Sequence, residues 1–247
     1  MSISWNYTAH AKSYASRPPY ASQVVEMIVE LAEAKDRRGC DIGAGTGHLT
    51  VALEELGVIV DAIEPNTAMR SIGVGRTGSA VTWHVGTAEA TDMPSSCYRL
   101  VSFGSSFNVT DRSAAMKEAA RLLEPNGLLA ALWNHRDLDT PLQQEIEELI
   151  HRRVPEYEYG TRRESQVAVV QSSSLFSEPV EISGAVSHVV NARSWAEGWR
   201  SHATLARQAG DRFSGICDEI IELVCAHGEQ IRIDYHTRGF IARRSNK

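Results

Sequence analysis

The chain has 247 residues with a formal net charge of -6, 43% hydrophobic and 23% charged, long and apolar enough for one α/β domain with a sizeable core and too apolar for disorder. The acidic balance removes the electrostatic drive for nonspecific nucleic-acid binding, and pairs such as Arg152-Arg153, Arg162-Arg163 and Arg243-Arg244 are too short to restore it. Four cysteines without C-x-x-C spacing and nine histidines without H-E-x-x-H argue against a metal or a disulfide framework, and without an apolar h-region or a run of about 18 apolar residues the expectation is a cytoplasmic protein with no membrane partner.

Residues 21 to 34, "ASQVVEMIVELAEA", place Val24, Val25, Ile28, Leu31 and Ala32 at helical spacing. "RRGCDIG" then predicts a short strand, a glycine turn follows, and "HLTVALEELG" predicts a helix stopped by Gly57. "VIVDAIE" is a strand-length apolar run, and "PNTAMRSI" starts a helix with its proline. "AVTWHVG" and "RLVSFGSS" predict strands, "DRSAAMKEAARLLEPNG" an amphipathic helix closed by a Pro-Asn-Gly turn, and "GLLAALWNH" a strand buried on both faces. Five strands alternating with helices between residues 37 and 135 predict a doubly wound α/β sheet with its ligand at the strands' carboxyl ends.

Beyond residue 135 the rhythm changes. "TPLQQEIEELIHRRV", "SWAEGWRSHATLARQ" and "GDRFSGICDEIIELVCAHG" are helical, "PVEISGAVSHVV" alternates like a strand, and "QIRIDYHTRGFIARR" predicts a last strand with a kink at its glycine. The expected organisation is a single domain, 1–247: a lid over 1–35, a cofactor-binding core over 36–135, cap insertions over 136–178 and 191–228, and final strands over 179–190 and 229–245.

The glycine loop narrows the ligand. Gly43, Ala44, Gly45 and Gly47 form G-x-G-x-G, but a dinucleotide fingerprint wants Gly or Ala where His48 stands. Asp41, just before the loop, repels a pyrophosphate and suits an amino-bearing group. Glu64, ending the second strand 21 residues after Gly43, stands where an acid accepts both hydroxyls of a ribose. Singly, each acid reads equally well as a turn or helix cap; at the ends of adjacent strands they favour a cofactor.

"DIGAGTG" (41–47), "AIEPNTAM" (62–69), "GTAEATDMP" (86–94) and "AARLLEPNGLLAALWNHRD" (119–137) resemble, in order, the motifs of class I S-adenosylmethionine-dependent methyltransferases. The resemblance covers roughly residues 14 to 190. It implies a Rossmann-like seven-stranded, mostly parallel sheet with the last strand antiparallel, helices on both faces and a helical cap. S-adenosyl-L-methionine is the implied cofactor, leaving as S-adenosyl-L-homocysteine. The glycines would face its methionine part, Asp41 its amino group directly or through water, Glu64 the ribose, and Thr87, Ala88 and Glu89 the adenine. Pro65, Asn66 and Met69, with Ser102, Phe103 and Gly104 of the fourth strand, complete the set. "YASRPPY" (14–20) resembles the Y-x-x-x-R-P-x-Y entry of a small-molecule, type 11-like subgroup, so that Tyr14 and Arg17 would reach the methionine end. Two departures concern the acceptor: Arg99 stands where the subgroup carries an acid, and Asn108-Val109 where a His-Trp pair often stands.

Methyl transfer asks chiefly for alignment and exclusion of water, and a general base is optional. The acceptor-side candidates are Tyr7, Ser106, Asn108, Trp133, Asn134, Trp195, Trp199 and His202, with His135 and then His10 as catalytic histidines. Trp195, Trp199 and His202 fall at i, i+4, i+7, a stripe able to roof a pocket or, on the alternative reading, to pack the core. His48 reads as a space-filling helix-start residue.

Aromatic surface with few charges suits a flat, weakly charged small molecule. The lid, "WNHRD" and the Trp-rich cap resemble bacterial N-methyltransferases of toxoflavin biosynthesis, which implies N-methylation of an azapteridine-like heterocycle. Two alternatives stay open: O-methylation of a small carboxylic acid or phenol, anchored by Arg17, Arg112, Arg136 or Arg200, and a non-catalytic cofactor-binding module. A nucleic-acid substrate is disfavoured by charge and by the lack of an N/D-P-P-Y tetrapeptide. The expected assembly is a monomer or homodimer.

Overall fold

The computed structural model describes residues 8, 11, 14, 15, 17–159 and 165–245. Seven strands form one sheet in the order β3-β2-β1-β4-β5-β7-β6. They are β1 Arg38–Ile42, β2 Ile59–Ile63, β3 Val81–His84, β4 Tyr98–Gly104, β5 Leu123–Arg136, β6 Val180–Asn191 and β7 Gln230–Arg243. All neighbours run parallel except β7, which is antiparallel to both β5 and β6. This is the sheet the resemblance implies, and it has the Rossmann-like methyltransferase topology.

The Pro-Asn-Gly segment does not close a helix before the strand. β5 already begins at Leu123, Asn126 takes φ +62°, and the pairing with β4 shifts register there. Gly239 does not kink β7 either: pairing with β5 is continuous from Leu128↔Arg243 to Arg136↔Tyr235. A Cβ at Gly239 would lie 2.0 Å from the Ala131 carbonyl oxygen, so the glycine serves close strand approach.

Three apolar clusters hold the molecule. On one face of the sheet, α1 (Ser22–Ala32) and α2 (His48–Glu55) pack on Leu100, Leu128, Ala130 and Leu132. α1 buries Val24, Val25, Ile28, Val29 and Ala32, with Leu31 left on its exposed side. α3 (Thr67–Val74) follows β2. On the opposite face, α4 (Arg112–Leu122) and α6 (Val167–Gln171) cover Val101, Phe103, Leu129 and Phe240.

The third cluster is the cap. α5 (Pro141–Arg153), α7 (Ala192–Glu197), α8 (Ala203–Ala209) and α9 (Phe213–Ala226) close on Ile231, Ile233 and Tyr235 of β7. The Trp-rich stretch is not one helix. It breaks at a 3-10 turn, Gly198–Ser201, and His202 caps α8 by accepting the Leu205 N–H at 3.2 Å. Among the described residues, no helix is long and apolar enough to cross a membrane.

Candidate active site

β1 delivers the glycine loop where the strand order turns back, with β2 on one side and β4 on the other. Gly43, Gly45 and Gly47 take φ of 67°, 59° and 85°, left-handed backbone that glycine adopts without steric cost. The loop is pinned from β2. Gly43 and Ala44 donate to the Ile63 carbonyl at 2.9 and 3.0 Å, and the Gly45 N–H donates to Glu64 Oε2 at 2.8 Å. Glu64 Oε1 accepts the Asn66 N–H at 2.8 Å, while Arg70 holds the carbonyls of Glu64 and Pro65. Burial raises the Glu64 pKa against these two amides and Arg70.

Asp41 lies beneath the loop. It is fully buried, accepting the Thr50 hydroxyl at 2.7 Å and the Ser102 hydroxyl at 2.8 Å. Burial pushes its pKa up to about 6 against those two hydrogen bonds. In this arrangement direct contact with a ligand's amino group is closed to it; Asp41 fixes α2 to β4 from below. Ser106, expected on the acceptor side, also serves the loop: its hydroxyl donates to the Ile42 carbonyl at 2.6 Å, and a Cβ at Gly43 would lie 2.6 Å from its own Cβ. Phe103 is fully buried edge-on to Phe107, and Gly104 admits the Tyr20 hydroxyl, 3.0 Å from where its Cβ would stand.

The N-terminal segment is tied across this site. Asn66 donates to the Thr8 hydroxyl at 3.0 Å, Tyr20 pairs with Ser105 at 3.1 Å, and Asn134 donates to the carbonyls of Pro18 and Pro19 at 3.2 and 2.8 Å. Thr237 joins them, donating to Asn134 and accepting the Ala21 N–H. His48 does more than fill space. It pairs with Thr46 and Arg76 and meets the backbone carbonyls of Arg17 and Ala15; burial, with Arg76, lowers its pKa to about 4. Tyr7 and His10 lie outside the described residues.

On the side toward β3, Thr87 and Ala90 exchange backbone hydrogen bonds in a tight bridge, and Ala88 is buried while Thr87 and Glu89 are exposed. Glu89 accepts the Asp111 N–H at 2.9 Å, tying this turn to the start of α4. Asn66 caps α3 through the Met69 N–H at 3.0 Å, and Met69 Cε lies 3.5 Å from where a Gly45 Cβ would stand.

The acceptor-side candidates divide between the two faces of β5. Trp133 packs with Phe240, its Nε1 donating to Asn108 at 2.9 Å. His135, one step further along the same face, stands opposite His236. The other face carries Asn134 and Arg136, whose guanidinium lies 3.8 Å from the Trp199 ring and 5.9 Å from that of Trp195. Trp199 is a core residue, 3% exposed and stacked on His202 at 5.0 Å. Trp195 donates to the Tyr235 hydroxyl at 2.9 Å.

Trp195 and Tyr235 line a cavity of about 200 Å³ together with Arg17, Pro18, Pro19 and His188. Arg17 lies over the Tyr14 ring at 3.6 Å. His188 and Tyr235 escaped the sequence reading. The available signal was the strand period, which sets His188 on the same face of β6 as Ile182, Val186 and Val190. Burial lowers the His188 pKa. Among the described residues, no cluster of three or more metal-ligating side chains occurs.

Residues 40–131 match the methyltransferase domain family. They hold the glycine loop and strands β1 to β4 of the sheet. An uncharacterized methyltransferase of Mycobacterium tuberculosis is 32% identical over 136 residues, 55% of this chain and 54% of its own. The ubiquinone/menaquinone biosynthesis C-methyltransferase of Caulobacter vibrioides is 32% identical over 101 residues, 39% of each chain. The chain thus spans about half the length or less of these curated relatives. A structure described as a type II methyltransferase from Anaeromyxobacter dehalogenans superposes with a TM-score of 0.72 at 18% identity, covering 92% of this chain and 97% of that one.

A fold of this kind implies S-adenosylmethionine, and the residues of the matched range fit it. The loop carries no side chain at Gly43, Gly45 and Gly47, and Met69 borders the place where a Gly45 Cβ would stand. Each Glu64 oxygen holds one amide and keeps a second lone pair for a hydroxyl. The cavity residues Arg17, His188, Trp195 and Tyr235 fall outside the matched range.

Proposed function

We propose that this protein is an S-adenosylmethionine-dependent methyltransferase acting on a small planar metabolite held between the N-terminal segment and the cap. The observation that carries the reading is Glu64. Its carboxylate bridges the glycine loop and the α3 cap at the end of β2, within the range that matches the methyltransferase domain family, the position from which an acid takes ribose hydroxyls.

When bound, S-adenosylmethionine supplies a sulfonium methyl with its leaving group already in place. The chain's part is orientation, worth about 7 to 11 kcal/mol when two reactants are aligned, and exclusion of water. Thr8, Tyr20 and the Pro18-Pro19 carbonyls tie the lid to Asn66, Ser105 and Asn134. Arg17 links the two halves: its backbone carbonyl meets His48 beside the glycine loop, and its side chain lines the cavity under Trp195.

A ring nitrogen of a heterocycle, such as an azapteridine of the toxoflavin type, is one acceptor compatible with this reading. A second reading, O-methylation of a small acid or phenol, gains from the fate of its four candidate anchors. Arg112 is bonded to Gln166 and Arg200 to Glu197 and Asp218, Arg136 lies on the tryptophans, and Arg17 lines the cavity. The assembly proposed is a monomer or homodimer working without nucleic acid.

Calorimetric titration with S-adenosylhomocysteine tests the reading. Removing two hydrogen-bonding oxygens, Glu64→Ala is expected to weaken binding at least about tenfold with the far-UV spectrum unchanged; equal affinity in both proteins overturns the site.

A further inference from the structure

The cavity has a chemistry of its own. Arg17 brings a positive charge, and its ion-pair partners do not include any described acid. His188 brings a buried ring nitrogen. The Pro19 carbonyl lies beside its ring, and Nε2 is buried without a partner among the described residues. An imidazole nitrogen accepts or donates according to its tautomer, and a hydroxyl can answer either. A buried polar atom without a partner favours a ligand that brings it a hydroxyl.

The walls select a flat ligand. Trp195 has its indole N–H satisfied by Tyr235, so the ring it offers is surface for stacking. The volume of about 200 Å³ falls below the roughly 300 to 1,000 Å³ of sites for drug-sized molecules. One ring with its substituents fits.

We infer that this cavity is the acceptor site and takes a small planar acid that also carries a hydroxyl, with the anion on Arg17, the ring against Trp195 and the hydroxyl hydrogen-bonded to Nε2 of His188. The inference rests on the methyltransferase reading for the word acceptor, while the ligand class stands on the cavity. It names a hydrogen-bonding histidine on β6 in place of His135 on the far face of β5.

The test is calorimetric binding of the three hydroxybenzoate isomers, of benzoate and of the matching hydroxybenzamides to the full chain, with S-adenosylhomocysteine titrated separately. At least one hydroxybenzoate is expected to bind about tenfold or more tighter than both benzoate and its own amide, the worth of one good polar contact. Arg17→Gln should erase the advantage of acid over amide. His188→Phe should erase the advantage of hydroxybenzoate over benzoate while leaving S-adenosylhomocysteine affinity within about twofold. If S-adenosylhomocysteine binds while the ligands go undistinguished, or while the variants keep both advantages, the inference is overturned and the methyltransferase reading stands. If the acids discriminate as expected but S-adenosylhomocysteine does not bind, the cavity assignment holds and the enzymatic reading falls.

Discussion

Asp41 shows how a motif residue can act at one remove. Its carboxylate takes hydroxyls from Thr50 and Ser102, nine and 61 residues away, and is fully buried. Its folded pKa of about 6 lies above the ordinary 3.8, so the fold prefers the protonated acid. The stability this contributes is full below about pH 4, where the unfolded chain is protonated too, and is lost as pH rises through about 6. At pH 8 the chain carries a buried charge held by two hydroxyls. Asp41→Asn removes that charge at constant shape, so its melting temperature is expected to exceed the wild type's at pH 8 and to match it at pH 4. Calorimetric scans at the two pH values decide; a lower value for the variant at pH 8 contradicts the account. The acid and the glycines were legible in "DIGAGTG" because the loop's backbone demands them locally. The partners were not, since Ser102 on β4 becomes a neighbour only when β1 and β4 pair.

At the scale of elements, period and punctuation carried far. The seven strands stand where apolar runs and alternation set them, and the helices of the core follow their 3.6-residue pattern. What failed did so through tertiary geometry. The stripe of Trp195, Trp199 and His202 is interrupted because the chain tightens at Gly198 and restarts at His202. Gly239, expected as a kink, is instead a straight strand position that allows β5 and β7 to meet. Gly239→Ala sets a methyl 2.0 Å from the Ala131 carbonyl oxygen, a backbone atom with little room to yield, so a loss at or above the upper end of the usual overpacking range, about 3 kcal/mol, is expected. Urea unfolding measures it, and a midpoint equal to wild type rules out the close-approach explanation. The division of candidates between the faces of β5 has the same origin: Trp133 and His135 share one side with Phe240, Asn134 and Arg136 the other. Single-sequence reasoning gathered them at one strand end without knowing which side faced the cap.

At the scale of the whole molecule, the half that carries the glycine loop and the cap half are separate cores joined by long strands. β6 and β7 pair from Val180↔Ile241 to Asn191↔Gln230, beyond the ends of β1, β2 and β4, and the cap cluster forms on that extension. The glycine loop is pinned from β2, whereas the cavity depends on Trp195 of α7 and on β6 and β7. Damage to the cap should therefore separate the two binding functions. Ile220 is fully buried in α9 within the cap cluster, and Ile220→Ala should cost about 2 to 5 kcal/mol by removing buried side chain and leaving a cavity. Because β7 carries Tyr235 and Ile233 into that same cluster, the loss loosens the wall that holds Trp195 and leaves Glu64 and Gly45 untouched. The expected outcome is faster amide exchange concentrated in residues 192–226, S-adenosylhomocysteine affinity within about threefold of wild type, and acid binding weakened at least about tenfold. Hydrogen exchange followed by mass spectrometry, with both titrations on the same preparation, gives all three readings. Equal weakening of the two ligands would mean that cap and core open as one unit, and that the long β6–β7 extension transmits strain into the glycine loop.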